Sequence, residues 1–222
     1  ERLCDLAHRH GALAVIDNTF AGFHQHGEYE IDLYVHSLTK YASGTGDVMG
    51  GAVIGRKELI DDLRPDFSVL GAHLDPHAAF LIQRGLKTYF VRYSAQTVNA
   101  QKIAEFLAAH PAVSRCHYPG LATHPQAELA RKQMKEPGTV VSFDLRDGSE
   151  AARAFSEKLR LFALTASLGS TESLVMPPQL VGARDFTPEQ ARRSGLGPGT
   201  VRLSIGLEDV GDLIDDIDQA LT

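Results

Sequence analysis

The feature that most constrains this chain is an order repeated within its first 55 residues, in which an apolar run ends in polar side chains. Ala12–Ile16 is entirely apolar and ends at Asp17, and Ile31–His36 leads into Ser37–Lys40. Short apolar runs between polar residues are typical of strands buried on both faces of a sheet. With Gly50–Gly55 as a third strand, this order predicts a doubly wound α/β sheet, in which ligands bind at the carboxyl ends of the strands.

Helical patterns lie on either side of these strands. Leu3 and Leu6 share one face of a helix over Glu1–His10, and Gly11 is expected to end that helix. A long helical pattern follows later, from about Asp75 to Ala109. Helix and strand therefore alternate as an α/β domain requires.

Beyond Pro111 the pattern changes to that of a smaller α+β domain. Alternating apolar and polar residues predict strands there, and apolar residues three or four apart predict helices. The expected elements are a strand over Thr139–Leu145, a helix over Ser149–Leu159, a strand over Thr200–Ile205 and an amphipathic helix from Val210 to Leu221. We therefore expect two domains, residues 1–92 and 93–222.

The charge of the chain argues against nucleic acids and anionic membranes as partners. It has 28 acidic against 22 basic residues, a formal net charge of −6, with no run of lysine or arginine. Nucleic acids and anionic membranes need clustered positive charge, so neither is an expected partner. No apolar stretch approaches the length of a membrane span, and Cys4 and Cys116 form no CxxC pair. A reduced, cytoplasmic protein is the resulting expectation.

Asp17 directly follows the first apolar strand. An aspartate at that place can cap a helix or lie on the surface as an ordinary charge. Alternatively its carboxylate points into the ligand crevice, where it could hold a pyridine nitrogen in its protonated, electron-withdrawing state. The residue alone does not decide between these readings.

The segment Ser37-Leu-Thr-Lys40 places two hydroxyls and an ammonium at the end of a buried strand. Ser37 and Thr39 can donate hydrogen bonds to a phosphate. Lys40 can supply charge or, if desolvated, a nucleophilic amine that forms a Schiff base. The alternative is an exposed lysine in a turn, the commonest place for this residue.

Two other patterns do not support a site. The glycines of Gly44–Gly50 superficially resemble a dinucleotide fingerprint, but the third is one position late and a strand follows where a helix is required. His8 and His10, like the histidines at 24 and 26, are two residues apart, so on a helix they would point in different directions. We expect no nucleotide site and no metal site.

In the second half, Ser167–Glu172 is a polar loop that contains glycine. On the following strand Val201, Leu203 and Ile205 are expected to face the core, which leaves Arg202 on the opposite face. Arginine binds carboxylates with two parallel hydrogen bonds, although a surface arginine without a ligand satisfies the same spacing.

Taken in order, eight segments resemble the Cys/Met-metabolism family of pyridoxal phosphate (PLP) enzymes, which includes methionine γ-lyase, cystathionine γ-lyase and cystathionine γ-synthase. The segments are Val15–Phe20, Ser37–Tyr41, Gly46–Gly51, Arg84–Thr88, Tyr118–Leu121, Ser167–Gly169, Glu172–Leu174 and Arg202–Asp209. The resemblance covers the whole chain. It implies the aspartate-aminotransferase-like fold (PLP fold type I), with the back part of the large doubly wound domain followed by the smaller C-terminal α+β domain.

The same resemblance implies roles for the residues at the two strand ends. Asp17 would pair with the pyridinium of PLP, and Thr19 would lie near the ring. Ser37 and Thr39 would hold the phosphate. Lys40 would bind the cofactor as a Schiff base and act as the catalytic residue that removes the substrate Cα proton.

The resemblance also implies the substrate site and the class of reaction. Ser167, Leu168 and Arg202 would bind an amino-acid substrate, the serine and arginine through its α-carboxylate. Where relatives acting on cystathionine often carry a glutamate, this chain has Ala166, which favours an uncharged thioether such as methionine. A carbon–sulfur lyase of the methionine γ-lyase or cystathionine γ-lyase type is expected, with a γ-replacement transferase as the alternative.

Other departures and expectations follow from the same comparison of patterns. The family's usual histidine after the Lys-Tyr pair is Thr45 here, and its Met-Thr-His stretch is replaced around Val181–Ala183. A homotetramer is expected, and family residues that precede this segment would complete the site. A non-catalytic, PLP-binding homologue is a further alternative, but it has no chemical need for both Asp17 and Lys40.

Overall fold

The computed structural model describes residues 1–26, 28–177 and 187–222. The chain divides into two compact units, Glu1–Tyr89 and Phe90–Thr222. The domain boundary expected after residue 92 stays a prediction for the whole protein.

The first unit contains a three-stranded sheet with helices before and after it. Its elements are α1 (Arg2–Arg9), β1 (Val15–Asp17), a 3-10 turn (Gly22–Gln25), β2 (Leu33–Ser37), β3 (Gly51–Gly55), α2 (Lys57–Leu70) and α3 (Pro76–Leu86). The strand order is β1-β2-β3, with β1 parallel and β3 antiparallel to β2. The three predicted strands are therefore present. As expected, α1 ends just before Gly11, which adopts the left-handed conformation that glycine tolerates best.

The sequence patterns do not predict α2. This helix contains Pro65 in its interior, and Arg56, which precedes its first residue, provides no side-chain cap, so the usual signals for a helix are weak. In contrast, α3 begins with a cap, because the Asp75 carboxylate accepts hydrogen bonds from the backbone N–H groups of His77 and Ala78.

Within the described residues β1 pairs with β2 alone, and Val15 is 57% and Ile16 40% exposed. Burial of β1 on both faces in the whole protein stays a prediction. In the neighbouring helix α1, Leu3 is 81% exposed and the buried residue is Cys4.

The second unit is built on a five-stranded sheet in the order β4-β5-β8-β7-β6. Its elements are α4 (Tyr89–Ala109), whose first residue belongs to the other unit, β4 (Val113–His117), α5 (Ala127–Gln133), β5 (Val140–Leu145), α6 (Gly148–Lys158), β6 (Ala163–Leu164), β7 (Leu174–Met176), α7 (Pro188–Ser194), β8 (Thr200–Ser204) and α8 (Val210–Leu221). Neighbouring strands are antiparallel except β6 and β7. The predicted elements β5, α6, β8 and α8 are all present.

One face of this sheet forms the core of the second unit. Val201, Leu203 and Ile205 are fully buried in that core, as the alternation of β8 predicts. Phe143 of β5 contacts Phe155 of α6 edge to face, with ring centroids 5.4 Å apart. The opposite face of β8 carries Arg202 and Ser204, which leaves them available for other contacts. Among the described residues, no helix combines the length and apolar character needed to cross a membrane.

Candidate active site

The carboxyl ends of β1 and β2 meet at one edge of the first sheet. The strands are parallel, with Asp17 opposite Val35, and the N–H of Asn18 donates to the Val35 carbonyl over 2.9 Å. Because the two parallel strands end at the same edge of the sheet, the residues after β1 lie beside those after β2. This is where the sequence places its candidates for cofactor binding.

Thr19 joins the two strand ends. Its N–H donates to Asp17 Oδ1 over 2.9 Å, and its Oγ1 accepts from the N–H of Ser37 over 2.8 Å. Thr19 is itself buried. One residue, through its N–H and its hydroxyl, therefore fixes the position of the carboxylate relative to the start of the Ser37–Lys40 turn.

The charge of Asp17 is controlled by the same contacts. The pKa of Asp17 is lowered from 3.8, chiefly by hydrogen bonds from the hydroxyl and then the N–H of Thr19. Donors to a carboxylate favour its ionised form. Asp17 is therefore an anion at neutral pH.

The turn that contains Lys40 is fastened to the beginning of β3. The N–H of Leu38 donates to the Gly50 carbonyl over 2.9 Å, and Thr39 Oγ1 accepts from the N–H of Gly50 over 3.0 Å. On the other side, Ser43 Oγ donates to the Thr39 carbonyl over 3.0 Å. Lys40 is half-buried within this turn. Its backbone is held by neighbours on both sides.

Helix α3 packs directly against the loop after Lys40. A Cβ added at Gly85 would overlap the carbonyl oxygens of Ala42 and Ser43. Only glycine permits such a close approach of helix and loop backbone. The position of the loop therefore depends on a residue that has no side chain.

The candidates for substrate binding form a second group, within residues 90–222. Arg202 Nη2 donates to the Ser167 carbonyl over 2.8 Å, and the N–H of Gly169 donates to Ser204 Oγ over 2.9 Å. Leu168, between them, is buried. The structure thus brings Ser167, Leu168 and Arg202 together over the polar face of β8.

The loop of Ser167 is supported by residues that the sequence patterns do not single out. Glu208 accepts from the N–H of Ser173 over 2.7 Å and from its hydroxyl over 2.9 Å, and Gly206 N–H donates to that hydroxyl over 2.9 Å. Asn99 of α4 donates to the Glu208 carbonyl over 3.0 Å. A buried network of this kind holds the loop against the end of β8.

The family model for Cys/Met metabolism PLP-dependent enzymes matches residues 1–222. The chain belongs to this family. The family predicted from the ordered segments is therefore confirmed.

Relatives with assigned names have two different activities. The chain is 45% identical over 220 residues to L-methionine γ-lyase of Pseudomonas putida, covering 97% of this chain and 55% of the relative. It is 43% identical over 228 residues to L-methionine γ-lyase of Fusobacterium nucleatum subsp. polymorphum, covering 100% and 57%. It is 42% identical over 219 residues to cystathionine β-lyase of Lactococcus lactis subsp. cremoris, covering 97% and 57%. The chain therefore spans about half the length of these relatives.

Solved structures of the family show the same fold. A crystal structure of CalE6 from Micromonospora echinospora, described as a cystathionine γ-lyase, matches with a TM-score of 0.93 and 37% identity, over 99% of this chain and 58% of that one. Apo CalE6, described as a methionine γ-lyase, matches with a TM-score of 0.89 and 36% identity, over 100% and 58%. The predicted aspartate-aminotransferase-like α/β fold is confirmed.

The candidates at the ends of β1 and β2 form a first group: Asp17, Thr19, Ser37, Thr39 and Lys40. These residues fit the cofactor of the family. A pyridine nitrogen keeps its proton when an anion lies beside it, and the contacts with Thr19 keep Asp17 ionised. A hydroxyl at Ser37 or Thr39 can donate to phosphate oxygens. Lys40 supplies the primary amine that a Schiff base requires.

Two histidines beside this group were not predicted to interact. His26 Nε2 and His36 Nε2 are 2.6 Å apart, and the His36 ring stacks on Phe23 with centroids separated by 4.4 Å. Burial, and secondarily the proximity of His26, lowers the pKa of His36 to about 4, although the charge of Asp17 opposes this shift. His36 is therefore neutral at pH 7. Its place directly before Ser37 in a buried strand was the available signal.

Three remaining expectations have different outcomes. Thr45, in place of the family histidine, donates to Asp47 Oδ1 over 2.6 Å in an exposed part of the loop. The replaced stretch Val181–Ala183 lies outside the described residues. Within the described ranges, no three histidine, cysteine or acidic side chains are placed to hold a metal ion, and the expectation of no metal site stays a prediction.

Proposed function

We propose that the full-length protein is a PLP-dependent carbon–sulfur lyase that eliminates a thiol from a sulfur amino acid, with methionine or a related thioether as its substrate. The observation that carries this proposal is the Thr19 bridge, which holds an ionised carboxylate beside the turn of Lys40. The similarity to two L-methionine γ-lyases supports the same class of reaction.

Within this proposal each residue of the first group has one task. Bound PLP supplies an electron-poor ring that accommodates the negative charge formed at the substrate Cα. Asp17 would keep the proton on the pyridine nitrogen, and the hydroxyls of Ser37 and Thr39 would hold the phosphate. Lys40 Nζ would be the amine that holds the cofactor and the base that takes the Cα proton.

The second group selects the substrate. Arg202 and Ser167 bind the α-carboxylate, and Leu168 contributes apolar contact. Ala166, which is exposed and uncharged, offers no partner for a distal ammonium. We therefore place an uncharged thioether ahead of cystathionine.

The test is a substrate panel with the full-length, PLP-loaded protein. Incubation with methionine should release 2-oxobutyrate, ammonia and methanethiol in equal amounts. Cystathionine should react more slowly. Absence of a keto acid from every thioether tested would refute the lyase assignment.

The transferase alternative is distinguished by a second incubation. An O-acyl-homoserine and a thiol should give a new thioether if γ-replacement is the main reaction. We expect keto acid formation to exceed thioether formation under these conditions. The reverse ratio would assign the protein to the transferases.

We further propose that the protein is a cytoplasmic homotetramer, as the family resemblance implies. Cys4 and Cys116 form no disulfide with each other, which agrees with a reducing compartment. Light scattering of the full-length protein should give four times the subunit mass, and cell fractionation tests the location.

A further inference from the structure

One carboxamide in α4 contacts both parts of the substrate group. Gln96 is completely buried, and its Nε2 donates to the Ser170 carbonyl over 2.6 Å and to the Ile205 carbonyl over 3.0 Å. Ser170 ends the loop that begins at Ser167, and Ile205 directly follows β8. A single side chain therefore ties the loop to the strand that carries Arg202.

The other end of this loop is held by the residues of β8 themselves. Arg202 Nη2 donates to the Ser167 carbonyl, and Ser204 Oγ accepts from Gly169 N–H. Because one N–H of the guanidinium is directed at the Ser167 carbonyl, a shift of the loop also turns the guanidinium. The position of Ser170 is thus linked to the direction in which Arg202 points.

The environment of Gln96 indicates that its two donor bonds matter. Gln96 Oε1 has no hydrogen-bond partner in the described part of the chain. Leaving a buried acceptor without a partner is unfavourable. An apolar side chain would avoid that cost, so the value of glutamine here lies in the two bonds from Nε2.

We propose that Gln96 is a positioning residue that sets the affinity for the substrate α-carboxylate by holding the Ser167–Ser170 loop, without touching the substrate. This inference rests on the proposed function, which assigns Ser167 and Arg202 to the carboxylate. Gln96 contributes no proton and no charge to the reaction. Its effect is expected on binding.

The test compares two non-reactive ligands with the full-length, PLP-loaded protein. Norleucine carries the α-carboxylate but has no sulfur to eliminate, and pentylamine is the same molecule without the carboxylate. Gln96→Glu keeps the shape but places an acceptor against two carbonyl oxygens, and Gln96→Met removes the donors without adding charge. Calorimetric titration should show norleucine binding weakened about tenfold in both variants, with pentylamine binding unchanged within about twofold.

Thr97→Val is the matched control. Thr97 is the next residue of α4, is buried, and has a hydroxyl with no partner among the described residues. Its removal should leave both affinities unchanged. With a substrate that turns over, the Gln96 variants should raise KM while kcat stays within about twofold, a split that loss of folded protein would not produce.

Two results would overturn the proposal. One is unchanged norleucine binding in Gln96→Met, the variant that remains informative if Gln96→Glu does not fold. The other is an equal loss of norleucine and pentylamine binding. Failure of the proposed lyase function is seen separately, because neither ligand has to react for the affinity ratio to be measured.

Discussion

The two groups of candidate residues are held in place by different means. In the first unit, Asp17 and Lys40 follow short strands, where contacts with Thr19 and the backbone of the turn fix their positions. In the second unit, Arg202 projects from a sheet whose other face is a fully buried core. Under the proposed function, the chemistry would depend on local backbone geometry, and substrate recognition would depend on tertiary packing.

The largest effect is expected at Lys40, the amine to which the proposed function assigns the chemistry. Lys40→Ala in the full-length protein should reduce elimination at least a thousandfold, roughly the range attributed to a positioned acid–base group. It should also abolish the visible absorbance of covalently held PLP. Lys57→Ala is the control, since that lysine is exposed and pairs with Asp61, and its activity should be unchanged. Retained absorbance in Lys40→Ala would refute the assigned role.

Packing in the second unit should dominate stability. Phe143→Ala removes a fully buried ring that contacts Phe155 and should cost about 3–5 kcal/mol in the free energy of unfolding. Arg153→Ala, at an exposed position of α6 in the same unit, should cost less than about 0.5 kcal/mol. Denaturant unfolding of the full-length protein measures both. Equal losses would contradict the place of Phe143 in the core.

The charge of Asp17 provides a test of the first unit that leaves packing intact. Asp17→Asn keeps the shape and removes the anion, so the pyridine proton is lost and activity should fall about a hundredfold. Asp5→Asn, an exposed change in α1, should have no effect. Loss of secondary structure in Asp17→Asn, seen by circular dichroism, would point to a structural role instead.

The smallest of the four effects concerns Thr19 and depends on pH. Its hydrogen bonds lower the pKa of Asp17 in the folded state, so they stabilise the ionised form above the unfolded value of 3.8 and lose effect as pH falls through the lowered folded value. Thr19→Val should raise this pKa and reduce activity about tenfold. The acid limb of the rate profile should move to higher pH, and Thr19→Ser should largely restore it. If the acid limb does not move, Thr19 does not control the ionisation of Asp17.

Much of the fold could be predicted because its patterns are local. The apolar run before Asp17 and the alternation around Arg202 depend only on neighbours in sequence, and both elements are present. Helix α2 was missed because Pro65 interrupts its pattern, and β6 was missed because two residues carry no periodicity.

The candidate site was predictable in the same measure. Polar residues at strand ends are visible in the sequence, and so Asp17, Ser37 and Lys40 could be proposed. Gln96 could not, because a polar residue inside a helix acquires its partners only when distant segments meet. For His36 the sequence shows its place before Ser37 in a buried strand, but not its partner His26.

The close approach at Gly85 has a consequence for mutational scanning. Every amino-acid substitution at Gly85 adds at least a Cβ. That atom would overlap the carbonyl oxygens of Ala42 and Ser43 and displace the loop that follows Lys40. An activity screen should therefore score Gly85 as severely as a reactive residue. A ranking of positions by loss of activity would therefore place Gly85, which has no chemical role, beside the residues proposed to react.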